Sequence, residues 1–175
     1  MVQIMDESLI MRSLARITHE IIERNNDLDN ICILGIKNRG VNIAKILAEN
    51  IYKFQNKKVP FGVLDVTLFR DDYSPEYKKQ KATESVIPCE LFDKTVIIVD
   101  DVLYTGRTAR AGIESVFSFA RPKCVQLAVL IDRGHREVPI RPDYVGKNIP
   151  TSKNEKISVI LDDGQEKAVY IIQNR

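Results

Sequence analysis

The chain has 175 residues, 44% hydrophobic and 29% charged, which is typical of one globular domain and argues against a disordered segment. Its formal net charge of +2 indicates no nucleic-acid partner by itself, so any such surface must be a local patch. No apolar run approaches the roughly 20 residues of a membrane helix, the first residues do not resemble a secretory signal, and three cysteines argue against a disulfide framework. These features favour a cytoplasmic protein.

The first third of the chain predicts two helices and two strands. Apolar residues from Ile10 to Ile21 recur at spacings of four, three and four, which is typical of one face of a helix. The run ICILGI at 31–36 predicts a short buried strand. The segment 38–54 predicts a turn that leads into a second helix, and 61–69 predicts another strand.

The middle of the chain combines a long polar segment with a strand–helix–strand pattern. Residues from about 70 to 88 show little apolar periodicity and are the longest loop candidate in the chain. A strand at 95–99, a helix over about 105–120 and a strand at 123–131 follow. Strands that alternate with helices and are apolar on both faces predict an α/β fold with a mainly parallel sheet.

The chain from residue 132 onward differs in composition from the part before it. Turn residues and charges dominate from 132 to 156, and no helix or strand is assigned to this segment. Residues 157–163 and 167–172 predict two strands joined as a hairpin. Since no internal repeat or domain boundary is visible, the sequence predicts a single domain over 1–175.

Two adjacent acids follow the central predicted strand. Asp100 and Asp101 stand where this strand is predicted to end, and parallel sheets bind ligands beyond the carboxyl ends of their strands. The next residues, YTGRT (104–108), place small and hydroxyl side chains where a helix begins, and the backbone N–H groups of such a turn can bind an anion. Two carboxylates beside an anion site suit a sugar phosphate, with the acids on ribose hydroxyls or near a metal. The alternative is that the acids only cap a helix.

The stretch VIIVDDVLYTGRT (96–108) resembles the phosphoribosyl-diphosphate (PRPP) motif of type I phosphoribosyltransferases. The segments LGIKNRG, DVTLFRDD and RPKCVQLAVLIDRGHREVPIRPDYVGKNIPTSKNEKI are similar to the PyrR family, which combines pyrimidine-operon attenuation with uracil phosphoribosyltransferase activity. The resemblance runs from about Leu14 to Val159. It implies a type I fold with a mainly parallel central sheet, flanking helices, a flexible flap over about 70–88 and a small hood.

The same resemblance implies a reaction, in which PRPP and uracil give UMP and diphosphate. Mg²⁺ is expected to arrive with PRPP, and no side-chain ligand in the protein is assigned to it. Breaking the anomeric C–O bond builds positive charge on the ribose, so catalysis should depend on positioning and charge stabilisation. The predicted catalytic residues are Asp100, Asp101 and Arg39. The predicted PRPP- and nucleotide-binding residues are Asn38, Arg39, Arg70, Asp100, Asp101, Val102, Leu103, Tyr104, Thr105, Gly106, Arg107, Thr108, Arg133 and Ile157.

Some of these residues have alternative interpretations. Arg70 precedes the flap and could instead be a solvated strand end. Arg133 is expected to reach the substrate phosphates or to form a salt bridge with Asp132. Asn38 stands where members of the family usually have Thr, which changes the reach of the loop that meets pyrophosphate. Uracil is expected to contact backbone groups near 156–158.

Basic residues are concentrated in two segments, about 12–24 and 133–156. The second contains six Lys or Arg against three Asp or Glu. If the two segments are neighbours in space, they form one basic surface, the alternative being ordinary solvated charges. By resemblance, the residues that contact a stem–loop of pyrimidine-operon leader RNA are Arg16, His19, Arg24, His135, Arg136, Arg141, Lys147, Thr151 and Lys153.

The resemblance also implies the partners. These are PRPP, uracil, UMP or UTP, leader RNA and further copies of the chain in a homodimer or larger homo-oligomer, with no DNA and no membrane. UMP in the active site would favour RNA binding. Two alternatives stay open: a regulator with a vestigial enzyme site, and a plain phosphoribosyltransferase that salvages another base.

Overall fold

The computed structural model describes residues 1–162 and 164–173 as two sheets with flanking helices. The helices are α1 (Glu7–Arg24), α2 (Arg39–Gln55), α3 (Pro75–Lys81) and α4 (Arg107–Phe119). The strands are β1 (Val2–Met5), β2 (Ile31–Ile36), β3 (Phe61–Leu64), β4 (Thr95–Leu103), β5 (Cys124–Asp132), β6 (Tyr144–Asn148), β7 (Glu155–Ile160) and β8 (Ala168–Gln173). The larger sheet is parallel, with strand order β3-β2-β4-β5-β6, which confirms the predicted α/β fold.

Both faces of the parallel sheet are covered by helices. On one face, Ile17 of α1 and Leu47 of α2 belong to the same buried cluster as Ile97 of β4. On the other face, Val116 of α4 lies in a second cluster with Ile98. Consecutive residues of β4 therefore pack on opposite sides of the sheet, which explains why this strand is apolar at every position from 96 to 99.

The second sheet is small and antiparallel, with strand order β1-β8-β7. Its β7 and β8 confirm the predicted hairpin, although Asp163, the last residue of the predicted 157–163 strand, lies outside the described residues. The third strand, β1, was not predicted because only its last residue, Met5, is buried. Val159 and Val169 join the core cluster that α1 and α2 form, so this sheet is attached to the parallel one through apolar contacts.

Three predicted segments are corrected by the structure. The strand predicted over 61–69 ends at Leu64, because the side chain of Asp65 accepts a hydrogen bond from Thr67 N at 2.7 Å and the chain turns into a short 3₁₀ helix. The polar segment at about 70–88 contains α3, which the side chain of Ser74 caps. The segment 132–156 contains β6, which pairs with β5 along the edge of the sheet.

Asp65 joins the two ends of the segment that contains α3. It is 7% exposed, and its carboxylate also accepts a hydrogen bond from the backbone N–H of Thr83 at 3.1 Å and one from the Thr83 hydroxyl. Burial acts to raise the pKa of Asp65, but the hydrogen bonds from Thr67 and Thr83 outweigh burial and the pKa is lowered. The buried carboxylate thus holds the return of this segment beside the end of β3.

We expect Asp65→Ala to lower the free energy of unfolding by about 1–3 kcal/mol, since it leaves the partly buried N–H groups of Thr67 and Thr83 without an acceptor. Because the folded-state pKa is lowered, the stabilisation is present at neutral pH and is lost as the pH falls through that pKa. Urea unfolding at pH 7 and pH 3 measures both effects. The matched control is Asp29→Ala, at an exposed surface ion pair with Lys57. Equal losses in the two variants would contradict this role.

Candidate active site and nucleic-acid interface

The acidic pair, Asp100 and Asp101, lies inside β4 and not at its end, because the strand continues to Leu103. On one side, pairing with β2 stops at Val99. On the other side β5 continues, and Asp100 is paired with Val129. The acidic pair therefore stands at a step in the carboxyl edge of the sheet, where β4 extends past β2 and one side of the strand is open.

The charge of the acidic pair is only partly compensated. Oδ1 of Asp100 accepts a hydrogen bond from Asp101 N at 2.9 Å, and Oδ1 of Asp101 accepts one from Val102 N at 2.8 Å. Arg39 Nη1 lies 3.4 Å from Asp101 Oδ2. Burial of Asp100 and repulsion by Asp101 raise the pKa of Asp100 well above its usual range. A ligand that donates hydroxyl hydrogen bonds or carries positive charge would stabilise the negative charge of the two carboxylates.

We expect Asp100→Asn to raise the melting temperature at pH 8, because the amide keeps the acceptor for Asp101 N and removes a partly buried negative charge. A carboxyl with a raised folded-state pKa binds its proton more tightly in the folded protein, so wild-type stability falls as the pH rises from the unfolded pKa towards the folded one. The advantage of the variant should therefore shrink on acidification. Thermal scans at pH 5 and pH 8, with Asp29→Asn as the exposed control, measure it. A variant less stable than wild type at pH 8 would be the opposite result.

The turn at 104–108 encloses a cavity of about 290 Å³ that also borders Asp100. Gly106 has φ 87°, and a Cβ there would lie 2.8 Å from the side chain of Val138, so glycine is required. Arg107 N donates to the hydroxyl of Thr105 at 3.3 Å. Because α4 begins at Arg107, the N–H groups of its first turn have no carbonyl partner within the helix, and they can bind an anion in this cavity.

Two arginines connect this turn to the segment that contains α3. Arg70 Nη1 donates to Thr108 Oγ1 at 2.5 Å, and the same guanidinium pairs with Asp72. Arg107 pairs with Asp71 at 2.5 Å. Arg70 is half-buried and borders the 290 Å³ cavity, so the alternative of a solvated strand end is wrong. The structure thus brings the start of the predicted flap to the 104–108 turn.

A second cavity, of about 590 Å³, lies on the other side of the acidic pair. Its lining residues are Lys37, Asn38, Arg39, Asp100, Asp101 and Asp162. Asn38 directly precedes α2 and its side chain makes no capping hydrogen bond. A Cβ on Gly40 would lie 2.3 Å from the carbonyl oxygen of Val99, so only glycine lets the start of α2 approach β4 this closely. Both cavities border Asp100, and a sugar on the acidic pair would have space for a phosphate group on each side.

Arg133 lies next to the site but lines neither cavity. It is 6% exposed, its Nε donates to Thr151 Oγ1 at 2.9 Å, and its Nη2 donates to the carbonyl of Glu155 at 2.7 Å. Its guanidinium carbon lies 4.0 Å from the centre of the Tyr104 ring. The predicted salt bridge with Asp132 is wrong, because that acid pairs with a different arginine. Arg133 therefore joins the small sheet to the 104–108 turn.

The small sheet contributes Ile157, whose side chain is 5% exposed and belongs to the core. Its side chain is therefore not available to a ligand, and only backbone groups of β7 remain for the predicted contact with uracil. Sequence reasoning also missed Lys37 and Asp162, which line the larger cavity. Lys37 was detectable, since it directly precedes the Asn38–Arg39 pair, whereas no pattern marks Asp162.

The two basic segments are neighbours in space. Arg16 Nη2 donates to two backbone carbonyls of β6 at 2.6 and 3.0 Å. Arg24 Nη1 pairs with Asp143 at 2.7 Å, which attaches the end of α1 to the residue before β6. His19 is exposed, and its ring stacks on that of Phe54 at 4.5 Å. The condition for a single basic surface is therefore met.

The predicted RNA-contact residues differ in how accessible their side chains are. Arg141, Lys147 and Lys153 are exposed, and none of them forms an ion pair with another described residue. Arg136 is half-buried, where it pairs with Asp132 and donates to backbone carbonyls. Thr151 is 8% exposed, so its side chain does not lie on the accessible surface as predicted.

His135 has an exposed side chain, yet Nε2 of its ring is 2.5 Å from the carbonyl oxygen of Thr151. Its ring also meets that of Tyr104 edge to face at 5.9 Å. The basic surface and the 104–108 turn are thus in direct contact at this point. Within residues 1–162 and 164–173, no cluster of three or more His, Cys, Asp or Glu side chains is placed to hold a metal ion. The helices of the same residues include none that is long and apolar enough to cross a membrane.

Comparisons with known proteins agree with this geometry. The phosphoribosyl transferase domain family matches residues 2–163. The bifunctional protein PyrR of Bacillus subtilis is 51% identical over 177 residues, which cover 98% of this chain and 96% of that protein. The bifunctional protein PyrR of Acetivibrio thermocellus is 55% identical over 159 residues, or 91% and 86% of the two chains.

Solved structures give the same fold. The hypoxanthine phosphoribosyltransferase of Trypanosoma cruzi matches with a TM-score of 0.74 at 19% identity, covering 99% of this chain and 97% of that one. A hypoxanthine-guanine phosphoribosyltransferase of Bacillus anthracis matches with a TM-score of 0.67 at 18% identity, covering 86% and 85%. The chain therefore belongs to the phosphoribosyl transferase domain family and, within it, to the bifunctional PyrR proteins.

Proposed function

We propose that this protein converts uracil and PRPP into UMP and diphosphate, and that it binds pyrimidine-operon leader RNA in response to uridine nucleotides to control transcriptional attenuation. The observation that supports the enzyme activity best is the acidic pair between two cavities, with the 104–108 turn on one side and Arg39 on the other. Membership of the PyrR group supports the pairing of the two activities.

In the proposed enzyme site, the phosphate, the ribose and the diphosphate of PRPP contact different groups. The 104–108 turn binds the 5′-phosphate, and Asp100 and Asp101 accept hydrogen bonds from the ribose hydroxyls. The diphosphate leaves into the larger cavity beside Arg39. The carboxylates also stabilise the positive charge that develops on the ribose as the anomeric bond breaks. Uracil supplies the attacking nitrogen, so no protein nucleophile is needed.

Mg²⁺ fits this site as an ion that arrives on PRPP, since the acidic pair supplies hard oxygen ligands and the remaining ligands would be phosphate oxygens and water. When bound, it neutralises negative charge on the leaving diphosphate. Asp100 and Asp101 are the residues that would hold it. Arg70 and Arg107 tie the predicted flap to the 104–108 turn, and we infer that this segment excludes water from the reacting ribose.

Conversion of labelled uracil to UMP by the pure protein with PRPP and Mg²⁺ tests the enzyme activity. Other nucleobases are offered in parallel under the same conditions. We expect turnover of uracil. Turnover of another base without uracil would favour the plain salvage enzyme, and no turnover of any base would favour a regulator with a vestigial site.

The proposed regulatory activity uses the surface where α1 meets β6. Filter binding of a leader stem–loop, with and without UMP, tests it directly. If UMP tightens RNA binding by some factor, linkage requires that RNA tightens UMP binding by the same factor. The contacts of Tyr104 with Arg133 and His135 offer a physical connection between the two sites.

A further inference from the structure

A third cavity, of about 460 Å³, opens on the basic surface, away from the acidic pair. It lies between the loop that follows β5 and the strand β6. The residues that define it are Arg136, Arg141, Pro142, Val145, Asn148 and Pro150. Its volume is within the range of about 300–1,000 Å³ that is usual for small-molecule sites. Pro142, Val145 and Pro150 supply the apolar part of its walls, and Asp132, Arg136, Arg141 and Asn148 supply its polar groups.

The charges around this cavity favour an anionic ligand. Asp132 is the one acid among its described lining residues, and its carboxylate already binds Gly134 N and the guanidinium of Arg136. Arg141 is exposed and forms no ion pair with any other residue that the structure describes. Lys147 is exposed on the neighbouring part of β6. An apolar recess between cations suits a group that is flat and apolar but attached to phosphates.

Asn148 supplies the specific polar group. Its backbone is fixed by pairing with Asp132 in the sheet, and its side chain is exposed. The amide makes no hydrogen bond with another part of the described chain, so both its donor and its acceptor are available. A carboxamide presents a donor and an acceptor side by side, which is the pattern that nucleobase edges also present.

We propose that this cavity receives one unpaired nucleobase of the bound RNA. Asn148 hydrogen-bonds the edge of that base, Pro142 and Val145 contact its face, and Arg141 binds an adjoining phosphate. The inference rests on the proposed RNA-binding function, and it adds a residue, Asn148, that the motifs did not single out. Recognition of unpaired bases that are splayed out of a loop is the usual route to sequence-specific RNA binding.

The test uses the leader stem–loop RNA with UMP, in filter binding against wild type and Asn148→Leu. The substitution keeps the side-chain size at an exposed position and removes the hydrogen bonds. We expect RNA affinity to fall about tenfold, which corresponds to about 1.4 kcal/mol. Because a base contact releases no counterions, the slope of log affinity against log salt should stay unchanged. Arg141→Gln should instead reduce that slope by about one.

Abasic substitution at each unpaired RNA position identifies the base. At one RNA position, removal of the base should lower the RNA affinity of wild type about tenfold. The same removal should not lower the RNA affinity of Asn148→Leu any further, as a direct contact requires in a double-mutant cycle. Asn26→Leu, another exposed asparagine, is the matched control and should bind like wild type.

The outcomes distinguish a failure of RNA binding as a whole from a failure of the cavity assignment alone. If wild type binds no leader RNA, the proposed regulatory function fails and this inference fails with it. Suppose that wild type binds the RNA but Asn148→Leu has the same RNA affinity, or that every abasic substitution lowers the affinity of the variant as much as that of wild type. The cavity assignment is then wrong, while RNA binding stands. A change of oligomeric state in Asn148→Leu, measured by sedimentation without RNA, would make the cavity a contact between subunits and would also overturn the inference.

Discussion

Asp101→Asn is expected to lower kcat/KM for uracil phosphoribosylation on the order of 10²- to 10³-fold. The amide keeps the size of the side chain but removes the negative charge that faces Arg39 and, in the proposed complex, the ribose. Steady-state kinetics with PRPP as the varied substrate measures the effect. The matched control is Asp29→Asn, whose side chain is exposed and pairs with Lys57 away from both cavities.

The same measurement on Asp100→Asn separates function from stability. We expect this variant to be more stable at pH 8 and nevertheless nearly inactive, since active sites commonly retain groups that cost stability. Turnover within twofold of wild type in both acid variants would mean that the acidic pair only braces the strand and the following turn.

Replacing Arg141 and Lys147 together by glutamine is expected to weaken leader-RNA binding on the order of 10- to 100-fold at about 0.1 M salt. Both side chains are exposed and form no ion pair within the described chain, so they are available to phosphates. The slope of log affinity against log salt should fall by about 0.7–0.9 for each lost phosphate contact. Uracil turnover should stay within about twofold, because neither residue borders the acidic pair.

The control for this variant removes two exposed lysines from α2, Lys45 and Lys53, which changes the net charge equally. It should leave RNA binding within about twofold of wild type. An equal loss of affinity in the control would show that total charge decides binding. An unchanged salt slope in the Arg141 and Lys147 variant would show that these residues do not contact phosphates.

Arg136 is a poor probe of the basic surface, although the sequence marks it as basic. Its guanidinium pairs with Asp132 and donates to the carbonyls of Tyr104 and Ile140. Its removal would therefore disturb the 104–108 turn as well as the surface. Only the structure separates charges that are occupied within the fold from charges that are accessible.

The elements that sequence reasoning located best are those whose pattern follows from burial. β2 has all six residues buried, and its predicted bounds match Ile31–Ile36. The helix α1 was predicted from the spacing of apolar residues such as Leu14 and Ile17, which line its buried face. In contrast, β6 was missed because it is a short edge strand whose Lys147 and Asn148 are exposed.

Only the part of the site that consists of residues close together in the chain could be predicted from the sequence. The acidic pair and the 104–108 turn are contiguous in the chain, so their proximity could be inferred. The contacts of Arg70 with Thr108 and of Arg133 with Tyr104 join residues that are distant in sequence, and no local pattern encodes them. The same limit applies to Asn148, whose relevance depends on a cavity that only the packing of β6 creates.

A crystal structure of the protein with PRPP and Mg²⁺ tests most directly whether the acidic pair and the 104–108 turn bind PRPP together. We expect the 5′-phosphate within the 104–108 turn, the ribose hydroxyls within hydrogen-bonding distance of Asp100 and Asp101, and the diphosphate beside Arg39. PRPP bound elsewhere, with both carboxylates engaged only by the backbone of β4, would contradict this expectation.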